Sequence, residues 1–144
     1  MNLEKISYAK LNARQKENFN FQKISAVLAD YGFVTMRLSD DWQGADFIAL
    51  HVDGETVLRV QLKSRLAFQK KYCGKGIWIA FGSGDEWYLY PHDELLEVIL
   101  RETSIATTQS WSERGGYSFA GLSKDLRPLL APYRIAGGTG AIPE

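Results

Sequence analysis

A single cysteine, Cys73, stands in 144 residues, so no intrachain disulfide framework exists. Only two histidines, His51 and His92, accompany it, and no Cys/His cluster suits a zinc centre. No apolar run approaches the ~20 residues of a membrane span, and the N-terminus lacks a charged-then-apolar leader pattern. The expectation is a cytoplasmic protein with no membrane partner. Neither sign of charge is in excess: 17 Lys and Arg meet 17 Asp and Glu, which argues against indiscriminate nucleic-acid binding. Neither histidine is placed beside a Ser or Cys, so a small-molecule enzyme built on a nucleophile–base pair finds little support. The glycines at 74 and 76 do not make a phosphate-binding loop, because no Gly-Lys-Ser/Thr ending follows them.

What is present centres on Gly44–Lys63, GADFIALHVDGETVLRVQLK. Asp53-Gly54 is a strong hairpin signal, since a type I′ turn needs positive φ at both central residues. It is flanked by the strand-like runs Phe47–Leu50 and Val57–Val60. With Asp53 and Gly54 as a two-residue loop, Val52 faces Glu55, and counting outward sets Asp46 opposite Gln61. Opposed residues share a face, and strand alternation brings Lys63 to the same one. A carboxylate, an amide and an ammonium converge at one end of a mostly apolar hairpin.

Small residue–acid on one strand and Gln-x-Lys on the next resembles the PD-(D/E)XK nuclease superfamily in its QxK variant. Gly44-Ala45-Asp46 stands for the first motif and Gln61-Leu62-Lys63 for the second, where most members carry Glu or Asp at the position of Gln61. The resemblance spans roughly the first ninety residues. It implies a restriction endonuclease-like α/β core and hydrolysis of DNA phosphodiesters with Mg²⁺ or Mn²⁺. Asp46 and Gln61 would hold the metal, joined by the Leu62 carbonyl, and Lys63 would assist the attacking water. Many members add an acid from their first helix, and Glu17 is the residue here. Glu17 also has a plainer reading, as a first-turn acid facing solvent and favouring the helix dipole. The alternative to cleavage is an inactive module on the same scaffold that binds nucleic acid or a protein.

Elsewhere the chain reads in order. Asn12 and Gln15 form a capping-box pattern, Phe21, Ile24, Val27, Leu28 and Tyr31 make one helical stripe, and Gly32 ends it. Phe33–Leu38 predicts a strand and Ser39–Gly44 a loop, in which Asp40 and Asp41 suit turn chemistry or assist a metal. Between Thr56 and Gly84 there is no acid, while Arg59, Lys63, Arg65, Lys70, Lys71 and Lys75 all occur. Of these, Arg65, Lys70, Lys71 and Lys75 are the candidates for neutralising phosphates, on a segment Leu66–Gly76 expected to be irregular or briefly helical. Ile77–Phe81 and Trp87–Tyr90 predict two further strands, and His92–Glu102 a helix with Leu95, Leu96, Ile99 and Leu100 inward. The expected architecture is a central mixed sheet of four or five strands flanked by helices. It would be one domain over residues 1–136, with a flexible tail at 137–144 and exposed Trp and Tyr side chains that could pair two copies.

Overall fold

The computed structural model describes residues 1–138. Asn12 starts α1 (Ala13–Ala29) through a complete capping box: its Oδ1 accepts from Gln15 N–H at 2.8 Å and its own N–H donates to the Gln15 side chain at 2.9 Å. Gly32 closes the end with φ 84°, and its N–H donates to the Ala29 carbonyl. Ile24 and Leu28 are the buried side chains of α1. They pack on Phe47, Ala49, Leu58 and Val60 from β2 (Ala45–His51) and β3 (Val57–Lys63).

Six strands form the main sheet in the order β1-β2-β3-β5-β6-β8, with β1 at Phe33–Trp42, β5 at Ile77–Ser83, β6 at Glu86–Pro91 and β8 at Arg134–Ala136. The sheet is mixed: β3 and β5 run parallel, and the other neighbours antiparallel. A second core lies against the helix α2 (His92–Glu102), where Leu95, Leu96 and Ile99 meet Ile79, Phe81 and Tyr90. The α/β class with a helix-flanked mixed sheet is as expected. The sheet is larger than expected because β8, three residues long, adds to β6.

The expected register of β2 on β3 holds, with Phe47 opposite Val60 and Leu50 opposite Val57. The turn that sets it differs. His51 N–H donates to the Thr56 carbonyl, so residues 52–55 form the loop rather than Asp53-Gly54 alone. Asp53 stays the organiser: its carboxylate accepts from Glu55 N–H, Thr56 N–H and the Thr56 hydroxyl. Widening the loop by one residue on each side leaves the pairing unchanged.

The loop expected at Ser39–Gly44 is also revised. β1 runs on to Trp42, and Gln43 and Gly44 turn the chain with φ 55° and 92°, the positive pair that a type I′ turn requires. Gly44 is needed twice over, since a Cβ there would lie 3.1 Å from the Tyr72 ring. The basic segment after β3 is briefly helical as expected, in a 3-10 turn over Lys70–Tyr72, but ahead of that turn it forms β4 (Ala67–Gln69), which pairs with β7 (Gly116–Ser118). Two short helices, α3 (Gln109–Ser112) and α4 (Arg127–Leu130), complete the chain, with Pro128 in the first turn of α4, where its missing N–H costs nothing. Of the expected tail at 137–144, Gly138 N–H donates to Asp85 Oδ2, and the part from 139 onward lies outside the described residues.

Candidate active site

At their outer ends β2 and β3 part. The ladder between them reaches Phe47 and Val60, and beyond it the Asp46 side chain replaces a backbone acceptor: its Oδ2 takes Leu62 N–H at 2.9 Å. Continuing the register by one residue sets Asp46 opposite Gln61. The parting strands, α1 and the end of β1 enclose a cleft of about 620 Å³ lined by Glu17, Asp40, Asp41, Asp46, Gln61 and Lys63 among others. It lies where β3 runs out, at the carboxyl end of the parallel pair, a usual place for ligands in α/β sheets.

Burial pushes the Asp46 carboxyl above its ordinary value. The charges of Asp41 and Glu17 push the same way, while the Leu62 amide and Lys63 oppose them. A half-buried carboxylate facing two further acids is a site short of positive charge. Gln61 adds a second mark: its Oε1 is buried and has no hydrogen-bond partner among the described residues. A buried carbonyl left unpaired costs about 1–3 kcal/mol, and such an atom is uncommon in a folded protein. Asp46 and Gln61 therefore offer hard oxygen donors, the chemistry Mg²⁺ and Mn²⁺ prefer, and the unpaired Oε1 is what fits these residues to such an ion.

Lys63 is held by the protein rather than by the acids. Its Nζ lies 5.4 Å from the Tyr72 ring centroid, and Lys71 approaches the same ring at 5.4 Å. Burial and the negative charges of Asp46 and Asp41 raise the Tyr72 phenol above its ordinary value, against the pull of Lys71. The ring thus stays neutral and serves as a face for both ammonium groups.

Glu17 lines the cleft but does not turn in to meet Lys63. It is 69% exposed and pairs with Arg37 at 3.7 Å, and Arg37 also donates to Asn18 Oδ1. Its negative charge still reaches Asp46. Asp41 acts on Asp46 more strongly than Glu17 does, and it stands on a strand end rather than in a turn. A run of two acids just before a tryptophan and a turn was the available signal, and turn chemistry explained it too easily.

The four basic candidates for phosphate contact lie outside this cleft. Lys70 sits over the Trp111 ring at 5.2 Å, Lys71 over Tyr72, and the Lys75 carbonyl accepts from Arg59. They and Arg65 belong to the segment that carries the chain from β3 to β5.

Cys73, His92 and Asp93 bring ligand atoms within 4.8 Å of one another, yet hydrogen-bond polarity closes this group to a cation. Gln69 N–H donates to His92 Nε2 at 3.1 Å, so the neutral ring carries its proton on Nδ1, which donates to Asp93 Oδ1 at 2.9 Å. A metal on Nδ1 would force a second N–H against that of Gln69. Burial holds the His92 ring below its ordinary value, against the pull of Asp93. The pair fixes the start of α2 to β4, in keeping with a helix-start role.

No family model matches the chain, and no curated protein matches it. Among solved structures, Hjc of Archaeoglobus fulgidus, a Holliday junction resolvase from an archaeal hyperthermophile, is similar to it at 16% identity. The likeness covers 54% of this chain and 74% of that one, with a TM-score of 0.42.

Proposed function

We propose that this cleft hydrolyses phosphodiester bonds of DNA with a divalent cation, Mg²⁺ or Mn²⁺. The observation that carries the reading is the unpaired, buried Oε1 of Gln61 on the strand whose Leu62 amide holds Asp46. Asp46 and Gln61 hold the ion, with the Leu62 carbonyl as a further oxygen. When bound, the cation supplies positive charge for the scissile phosphate and acidifies a water beside it. Lys63 orients the attacking water or meets the phosphate, its ammonium steadied by Tyr72. Asp41 and Glu17 keep the cleft negative, which draws the cation in. The Arg65–Lys75 segment meets phosphates away from the cut.

The test is nicking of supercoiled plasmid. Lys63→Met keeps the stem and removes the charge, and cleavage should fall about a hundredfold, the usual worth of one positioned donor to developing charge. Divalent binding, followed by calorimetry, should persist. Wild-type protein that cuts nothing with Mg²⁺ or Mn²⁺, yet binds DNA in a salt-sensitive manner lost on changing Lys70 and Lys71, would instead be the inactive binding module.

The proposal extends to two copies acting together. On the face turned away from α1, Val34, Leu50 and Val57 lie in one row across β1–β3, and Met36, Ile48 and Arg59 in the next. Val34, Met36 and Val57 are more than half exposed, and Trp42 caps the Arg59 guanidinium at 4.9 Å. β1 is one of the two edge strands of the sheet, and an antiparallel edge is its own complement across a two-fold axis. Sedimentation should give twice the 16.2 kDa chain mass, and Met36→Lys should return it to the single chain.

A further inference from the structure

The acid-lined cleft continues into a second one of about 600 Å³, and Tyr8, Asn20, Lys63 and Ser64 wall both. The floor of the second cleft is Trp87 of β6. Trp87 pairs with Gly82 of β5, and because Gly82 has no side chain the indole lies across that strand: a Cβ there would sit 3.3 Å from two of the ring carbons. The facing wall is aromatic too. Tyr8 packs on Phe19 with ring centroids 5.2 Å apart, and its hydroxyl accepts from Asn20 at 2.9 Å. Lys23, over the Phe19 ring at 5.3 Å, is a second cation lining the same cleft as Lys63. Asp85 lines the cleft as well.

This combination selects its occupant. Aromatic surfaces lined with two cations and a carboxylate suit a flat heterocycle joined to a phosphate. A base stacks on aromatic side chains with little regard to its identity. Lys63, which also walls the acid-lined cleft, is the cation that meets the phosphate, and Asp85 accepts from a base amino or ring N–H. In a paired duplex the faces of the base are covered by its neighbours, so it reaches such a pocket only when single-stranded or turned out of the stack.

We propose that the second cleft takes the unpaired base next to the scissile phosphate, so that the substrate is DNA carrying an unpaired nucleotide at the cut. The assignment rests on the cleavage reading of the adjoining cleft, with Lys63 as the shared wall that ties base pocket to phosphate.

Binding without divalent cation separates the two ideas. Fluorescence anisotropy in EDTA should show a labelled single-stranded oligonucleotide bound more tightly than the same sequence fully paired. Trp87→Leu should weaken single-strand binding about tenfold, as loss of one stacking platform does, and leave duplex binding unchanged. Tyr8→Leu, at an exposed position, should move the ratio the same way and serves if Trp87→Leu unfolds. Equal affinity for the two forms in wild type, or a ratio unmoved by either folded variant, overturns the subsite even if metal-started cleavage is robust. A ratio that behaves as expected while no cleavage occurs with any divalent ion keeps the base pocket and removes the hydrolytic reading instead.

Discussion

Asp46→Asn should abolish most cleavage and raise the melting temperature of the metal-free protein. Both effects come from one charge. The amide oxygen of Asn can still accept the Leu62 N–H that Asp46 accepts, so the strand end keeps its hydrogen bond. What is lost is the carboxylate, and with it several kcal/mol of cation-mediated charge stabilisation, at least about a hundredfold in rate. The stability gain follows from the raised pKa of Asp46, caused first by burial and then by Asp41 and Glu17. A folded-state value above the unfolded one means that the fold retains a proton the unfolded chain gives up. Stability tied to that proton is complete below the ordinary carboxylate value and is lost as pH rises through the raised one. The variant has no such loss. Its advantage in melting temperature should therefore be widest at neutral pH and vanish in acid. Scanning calorimetry in EDTA at several pH values reads this directly, and a variant that melts lower at neutral pH would show that the carboxylate stabilises the empty site.

The second large effect is expected from Gln61→Glu, which should lower metal-free stability and tighten divalent binding by roughly tenfold or more, as an added ligand charge does. Gln61 Oε1 already lies buried without a partner among the described residues. A carboxylate in its place stands near Asp46, and two like charges in a half-buried cleft disfavour the empty fold. A bound cation reverses the balance. Stabilisation by a ligand grows as RT ln(1 + [L]/Kd), so the shift in melting temperature on adding Mg²⁺ should be larger in the variant than in wild type. An equal shift in the two proteins would remove Gln61 from the ligand set.

Much of this site was legible in the chain because local chemistry fixes its geometry. Asn12 and Gln15 announce the start of α1. Asp53 centres the hairpin, and a loop widened equally on both sides gives the same register as a tight one, so Asp46 and Gln61 could be set opposite each other despite the wrong turn. The parts that stayed hidden depend on partners distant in sequence. The strands β4, β7 and β8 have three residues each, too few to show a period. Glu17 lines the cleft from α1, but nothing near it in sequence points to Arg37, which claims it. Asp40 and Asp41 look like turn residues because short acids usually are. Their place on a strand is set by Gln43-Gly44, a turn that needs positive φ at a glutamine.

The parallel ladder between β3 and β5 has one more consequence. β1 to β3 pair as chain neighbours, and so do β5 and β6, so each group can zip from short loops. Joining them means closing the long excursion from Ser64 to Gly76 first, and non-local closure of this kind is slow relative to hairpin formation. Gln61 and Lys63 stand on that seam, opposite Ile79 and Phe81. The β3 edge facing β5 is therefore paired last, whereas every residue lining the acidic cleft, from Tyr8 to Ser64, precedes that seam in the chain, so the acids are gathered before the sheet beside them is complete.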